Sequence, residues 1–475
     1  MAFKLPPLPP ASSWYPGHMA SFTRDFPRLL QSTHIVLEAR DARLPLTSIN
    51  PNFEAMLSQW GSSDPNNLEG SRERIVIYNK ADLVPSWGIK PFERALGRYF
   101  NHTTFFTTAK EGKSVADLHQ HLAAIARRHK QNLQHLNVLV VGMPNVGKST
   151  ILNHLRVYGI KGASSVLKAS RLPGTTRTTS NRMRLNDDPL IYSTDSPGVM
   201  LPFLGYGDHA RERAVKISLI LGMNESLFEY EQLAAYLLFR INSINPNDPP
   251  YPSLLSDATE KRPKFPPTDS VESFLAELAS RMGYLRPGGI PDLQRAAKWF
   301  VEWWRVSAGK KEDLGGSVSW GWGLDCQWED YWSSIDSGSL AVAPPQHMGE
   351  GEAVPVIQGE YLTEGRDAHS DQISTTKLAV GKPNDGGPAL HDFEFEASTF
   401  LSQSDVTDSI DDLESKFDGV IRRYLNQTKE LGIEVSKSQL KKRASDEVKQ
   451  QVEQKKNAIY GQKKRSNSRR RGHSR

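Results

Sequence analysis

The chain has 475 residues, of which 38% are apolar, with 30 prolines and 35 glycines. The length leaves room for two to four domains, and the composition points to long irregular stretches. Its one cysteine, Cys326, excludes an internal disulfide and a cysteine-based zinc site. No apolar run reaches the ~18 residues of a membrane-spanning helix, so no such helix is expected, while peripheral membrane association stays open. The net charge of +5 is uneven: residues 437–475 hold fourteen Lys and Arg against three Asp and Glu, a local +11, so the preceding residues sum to −6. A tail of this kind suits a polyanion, nucleic acid first, the alternative being a solvated segment with no specific partner.

The amino-terminal stretch, ending in "WYPGHM" at 14–19, has neither an Arg- and Ser-rich amphipathic pattern nor a secretory apolar core. Short apolar or β-branched runs follow at 34–37 ("HIVL"), 74–78 ("RIVIY"), 103–106 ("TTFF"), 137–141 ("NVLVV") and 189–194 ("PLIYST"). Segments of helical length separate them, among them 113–130 and 148–158. Strands alternating with helices predict an α/β fold with a mostly parallel sheet. Val115, Leu118, Leu122, Ile125 and Ala126 recur at helical spacing and predict an amphipathic helix lying on that sheet.

Two short motifs sit after the second and third of these runs. Asn79-Lys80-Ala81-Asp82 fits a guanine reader. The Asp82 carboxylate can accept from guanine N1–H and the 2-amino group, pairings that adenine does not offer. Asn79 would tie this loop to a phosphate loop, and Lys80 would lie along the base. Thr107-Thr108-Ala109-Lys110 resembles a loop that donates a backbone amide to guanine O6, so Thr108, Ala109 and Lys110 join the candidate base site.

The phosphate-binding signature comes later. Gly142-Met143-Pro144-Asn145-Val146-Gly147-Lys148-Ser149 fits G-x-x-x-x-G-K-[ST], with an apolar strand before it and a helix start after it. The loop from Asn145 through Val146, Gly147 and Thr150 would wrap the phosphates with amides, with Lys148 on the β- and γ-phosphates and Ser149 on Mg²⁺. Asp195-Ser196-Pro197-Gly198 ends the next strand. Asp195 is a candidate for the Mg²⁺ shell, and the Gly198 amide for the γ-phosphate. Between the two motifs, "LPGTTRTTS" offers Thr176 as the loop residue that meets Mg²⁺ and the γ-phosphate. Val199 follows Gly198 directly.

Beyond residue 207 strands give way to helical periodicity. Leu233, Leu237 and Ile241 share one face; Val271, Phe274, Leu275, Leu278 and Met282 share another; Leu293, Ala296, Ala297, Phe300 and Trp304 a third. Seven of the ten tryptophans lie between 299 and 332, a density better suited to helix packing than to base stacking. The expected domains are therefore 14–206 for the nucleotide domain and 207–332 for a helical one. A Gly-, Pro-, Ser- and Asp-rich linker at 333–408 and a helix plus basic tail at 409–475 complete the chain.

The order NKAD, TTAK, GMPNVGKS, PGTTR, DSPG resembles the circularly permuted GTPases of ribosome assembly, the group of bacterial ribosome-biogenesis GTPase A and its organellar relative mitochondrial GTPase 1. "WYPGHM" and "EARDARLPLTSINP" at 38–51 resemble further stretches of that group, and the resemblance covers residues 14–330. It implies a permuted P-loop GTPase domain and a helical domain that contacts RNA. It further implies GTP and GDP as ligands, Mg²⁺ as cofactor, and slow, ribosome-stimulated hydrolysis by a monomer. The large ribosomal subunit and its rRNA are the implied partners, with nucleotide state gating the attachment. The implied location is the mitochondrial matrix, including its inner-membrane face, with the nucleus or nucleolus as the alternative. By the same resemblance Val199 stands where many GTPases carry a water-orienting Gln, His18 would replace that Gln, and Asn145 would help hold a K⁺. The competing reading is a GTP-dependent RNA-binding or anchoring module with negligible hydrolysis, since a valine orients no water.

Overall fold

The computed structural model describes residues 3–11, 14–62, 72–108, 112–131, 133–167, 182–200, 204–205, 207–245, 249–255, 267–307, 321–328 and 403–430. The sheet strands are β1 (Ile35–Asp41), β2 (Glu73–Asn79), β3 (Thr103–Thr107), β4 (Leu136–Gly142), β5 (Met183–Asn186) and β6 (Ile191–Asp195). They lie in the spatial order β3-β2-β1-β4-β6-β5; β5 runs antiparallel at one edge and the other pairings are parallel. The central strand β1 is buried along its whole length and the last five residues of β2 are buried too. This two-sided burial is why Ile35–Leu37 and Ile75–Tyr78 read as unbroken apolar runs.

Register sets up the site. Asp41 pairs with Asn79, Asn79 with Thr107, Ala39 with Gly142, and Val140 with Asp195. The carboxyl ends of five parallel strands therefore form one row, the edge where α/β sheets place their ligands. Helices α1 (Gly17–Gln31), α2 (Pro51–Ser62), α3 (Ile89–Gly97), α4 (Lys113–Arg128) and α5 (Lys148–Gly159) cover the sheet. In α4 the residues at the helical spacing, Val115, Leu118, Leu122, Ile125 and Ala126, are all buried, together with Ala123.

An ion network anchors α2 to the sheet. Buried Arg40 donates to Glu38 (2.7 Å), to the Tyr78 hydroxyl (3.0 Å) and to Glu54 of α2 (2.9 Å). Arg74 bridges the same two carboxylates. Burial raises the Glu38 pKa, but Arg40 and Arg74 pull it down to about 2. Each buried charge here has opposite partners, the condition under which burial is tolerated.

After β6 come α6 (Gly207–Leu219), α7 (Tyr230–Ile244), the short α8 (Pro252–Leu255), α9 (Val271–Met282) and α10 (Leu293–Ser307). Ser270 caps α9, its hydroxyl accepting from the Ser273 amide, and Gly283 ends it in the left-handed region at φ 68°. Strands do not vanish here. Two antiparallel pairs of two residues each, Leu285–Arg286 with Ile290–Pro291 and Gly321–Trp322 with Cys326–Gln327, lie where only helices are expected. Such pairs are too short for alternation to register.

The second pair matters to the core. Trp322 is fully buried, donates its indole N–H to the Pro85 carbonyl (2.9 Å) and stacks on Phe92 at 5.3 Å. A Cβ on Gly88 would sit 2.3 Å from that indole. A helix at Gln403–Glu430, α11, packs on Trp322 and Phe92, its Phe417 ring lying 5.6 and 5.5 Å from theirs. Its Phe417 and Ile421 are fully buried in a cluster with Phe92, Leu96, Trp322 and Trp328. Arg94 of α3 and Arg98 at its carboxyl end bind Glu414 (2.8 and 3.1 Å), and Tyr99 binds Asp418 (2.8 Å). No described helix is long and apolar enough to cross a membrane. The tail 437–475 and the linker up to residue 402 lie outside the described residues.

Removing the Phe417 ring should cost about 3 kcal/mol of docking energy. Amides of α11 in Phe417→Ala should then exchange with deuterium roughly a hundredfold faster than in the parent. Unchanged exchange would show that the helix is held by something other than this cluster.

Candidate nucleotide-binding site

The phosphate loop leaves β4 through Gly142, whose φ of 138° and closeness to Ala39 (a Cβ would lie 2.1 Å from its carbonyl oxygen) require glycine. Asn145 follows in the left-handed region at φ 60°, and Gly147 at φ 95° caps the amino terminus of α5. Left-handed residues at 145 and 147, with Val146 between them, are the kind of backbone pattern that forms anion nests. Lys148 is buried, and its ammonium donates to the carbonyls of Gly142 (3.2 Å) and Met143 (2.8 Å). Burial pulls its pKa down to about 8, with Asp195 pushing the other way.

Asp195 ends β6 and is 1% exposed. It accepts from the Ser149 hydroxyl at 2.9 Å. Burial raises its pKa, against the pull of Lys148 and Ser149. A serine hydroxyl facing a carboxylate is a hard-oxygen pair of the type that suits Mg²⁺, so Ser149 and Asp195 fit that ion. Gly198 lies against Pro144, where a Cβ would come within 2.5 Å of the proline Cα. The Val199 amide donates to the Gly142 carbonyl (3.1 Å), and its side chain is buried. This valine therefore packs into the loop, with no polar atom to offer a water. Thr150 occupies the first turn of α5, half-buried.

The base-reading motif reaches the same place from the other side. The Asn79 amide donates to the Val146 carbonyl at 2.7 Å, and its oxygen accepts from the Thr107 hydroxyl at 3.1 Å. A Cβ on Gly147 would come within 2.3 Å of the Asn79 amide nitrogen, so glycine at 147 also serves this contact. Lys80 is left-handed at φ 63°, and Asp82 lies half-buried in the one-turn 3₁₀ helix Ala81–Leu83. The Thr108 amide donates to the Ser114 hydroxyl at 2.6 Å. Ala109, Lys110 and Thr176 lie outside the described residues.

Two residues to which the sequence motifs assign no role acquire one here. Asp41, at the end of β1, accepts from Arg43 (2.9 and 2.8 Å) and from Lys80 (2.9 Å). Burial pushes its carboxyl up, but Arg43 and then Lys80 hold it well below the usual carboxylate range. Asp41 thus holds the ammonium of Lys80, tying the base loop to the end of β1. The D-x-R spacing was the available signal: an aspartate side chain accepting from the amide two residues on (3.1 Å) closes a local turn. Leu221, whose carbonyl accepts from the Asn145 amide at 2.6 Å, left no trace in the sequence.

His18 is the second residue of α1 and is half-buried. Met19, Phe22, Phe26 and Leu30 line the buried face of that helix, and this spacing overrides the turn chemistry of Pro16-Gly17.

A guanine-reading loop that precedes its phosphate loop, with both on the carboxyl edge of one parallel sheet, defines a P-loop GTPase of circularly permuted order. The family described as "50S ribosome-binding GTPase" matches residues 137–251. The protein named Mitochondrial GTPase 1 from Schizosaccharomyces japonicus is 31% identical over 316 residues, covering 62% of this chain and 87% of its own. The Mus musculus protein named Mitochondrial ribosome-associated GTPase 1 is 28% identical over 236 residues, 48% of this chain and 66% of its own. Among solved structures, GNP-bound YlqF from T. maritima aligns with 61% of this chain and 94% of its own, at 19% identity and a TM-score of 0.37. The chain belongs to the mitochondrial GTPase 1 family.

The low Lys148 pKa has a measurable sign. Below pH 8 its ammonium is charged, as phosphate binding needs. Above pH 8 it loses the proton, and binding must take one up. Affinity for a fluorescent GDP analogue should hold level from pH 7 to 8, then fall by up to about tenfold per pH unit toward pH 9.5. A flat profile across that range would contradict the assignment.

Proposed function

We propose that this chain is a GTP-hydrolysing factor for assembly of the mitochondrial large ribosomal subunit, with nucleotide state gating its attachment to rRNA. The observation that carries the guanine-nucleotide part is the Asn79–Val146 hydrogen bond, which joins base reader and phosphate loop. The ribosomal and mitochondrial parts are supported by the names of its relatives.

In this reading Asp82 pairs with the guanine edge, Lys80 lies along the ring, and Thr108 with Ala109 and Lys110 closes over O6. Amides from Asn145 to Thr150 cradle the phosphates, and Lys148 exchanges its loop carbonyls for phosphate oxygens. Ser149, Asp195 and Thr176 would hold Mg²⁺, which supplies charge compensation on the phosphates when bound. Gly198, pressed against Pro144, would donate its amide to the γ-phosphate. Gly198 lies just ahead of α6 in the chain, and Thr176 lies ahead of the last two strands of the sheet, β5 and β6. Loss of their γ-phosphate contacts on hydrolysis would release the segments that lead into the helices, an order-to-disorder switch.

Val199 leaves water positioning to another group, and His18 is the imidazole assigned to that role. The oxygen of Asn145 is the atom assigned to a K⁺ that would assist the same step. The location is the mitochondrial matrix or its membrane face, and the basic tail 437–475 adds affinity for RNA.

Single-turnover GTP hydrolysis, with and without large ribosomal subunits and in K⁺ or Na⁺ buffer, tests the proposal. Subunits should accelerate the step, K⁺ should exceed Na⁺, and His18→Ala should slow it by about a hundredfold. Subunit binding that depends on GTP but brings no hydrolysis would favour the anchoring reading. An unchanged His18→Ala rate would remove His18 from the mechanism.

A further inference from the structure

The helices after β6 do more than follow the nucleotide domain: they touch the site at two places, and the two places meet at one residue. The first is the end of α6. Its cap is formed by the Leu221 amide donating to the Ser218 carbonyl (3.0 Å) and the Gly222 amide to the Ile217 carbonyl (2.9 Å). Leu221 sits at φ 62°, a conformation unfavourable for a leucine. That conformation places its carbonyl 2.6 Å from the amide nitrogen of Asn145, itself left-handed in the phosphate loop. Gly222 packs close by: a Cβ there would lie 3.3 Å from the Met143 methyl. Strain in the cap is thus spent on holding a phosphate-loop side chain.

Arg305, near the end of α10, secures that cap. Its guanidinium donates to the Leu219 carbonyl (2.7 Å) and the Ser218 carbonyl (2.9 Å), a cation at the negative end of α6. The second contact is on the base side. The Arg43 guanidinium lies 5.1 Å from the Trp304 ring centre and donates to the Arg305 carbonyl at 3.5 Å. Arg43 shares Asp41 with Lys80 of the base loop.

We infer that Arg305 is a positioning residue for the nucleotide site. Its side chain acts on the phosphate loop through the α6 cap and Asn145, while its backbone and Trp304 brace the base loop through Arg43 and Asp41. The inference rests on the chain binding a guanine nucleotide at this site. By linkage, any partner that shifts α10 changes nucleotide affinity, and nucleotide changes partner affinity by the same factor.

The test is the dissociation rate of a fluorescent GDP analogue from the full chain. Failure of the unmodified chain to bind the analogue would strike the nucleotide reading itself, apart from this inference. With binding established, Arg305→Ala should release the analogue about tenfold faster, the scale of losing hydrogen bonds from a charged group. Arg305→Gln, which keeps one donor without the charge, should fall between, and it serves as the deciding variant if Arg305→Ala does not fold. In an Asn145→Ala background, Arg305→Ala should add less than about a twofold change, because both act through one contact. A merely structural arginine would lower thermal stability and leave the dissociation rate alone. Rates within twofold of the parent in a folded Arg305 variant would overturn the inference, as would fully additive effects with Asn145→Ala.

Discussion

The nucleotide site depends on one hydrogen bond, from the Asn79 amide to the Val146 carbonyl. A permuted chain must bring a loop after β2 and a loop after β4 together with no help from sequence order. Adjacent parallel strands do most of this, because β1 lies between β2 and β4 and aligns their carboxyl ends. Asn79 does the rest. It uses its donor on the phosphate loop and its acceptor on Thr107, so three strand ends share one side chain. Gly147 is constrained by the same contact, since any larger residue would meet that amide.

Permutation also decides which elements come after the phosphate site. The chain leaves β6 through Asp195 and Gly198 and enters α6 within a dozen residues. The segments that would respond to the γ-phosphate therefore lead directly into the helical part. The helices in turn reach back through Leu221 to Asn145 and through Trp304 to Arg43. Nucleotide loops and helices are braced in both directions, and α11 adds a further buttress against α3, the helix that follows the base loop.

The inner strands β1, β2 and β4 were legible in the sequence because burial on both faces leaves apolar runs, as in "IVIY" of β2. The edge strand β5 was not. It is four residues long, antiparallel and half-exposed, and it carries polar residues. Helix α1 was obscured by Pro16-Gly17, which reads locally as a turn, although Met19, Phe22, Phe26 and Leu30 held the helical period. The nucleotide motifs were legible because the chemistry of each demands fixed residue types at fixed spacing. The Asn145–Leu221 bond was not, because it joins an asparagine to a backbone carbonyl, and every residue has one.

The central claim is that Asp82, ahead of the phosphate loop in the chain, reads the base of the nucleotide held by Lys148. Asp82→Asn replaces one acceptor oxygen with a donor. The amide then suits the C2 carbonyl of xanthine and leaves the 2-amino group of guanine without its acceptor. Competitive binding of GTP and XTP to the parent and to Asp82→Asn measures this directly. The account predicts a preference for GTP in the parent and a reversal in the variant, with GTP affinity falling on the order of 10⁴-fold. GTP affinity within about threefold of the parent, or no gain for XTP, would contradict it.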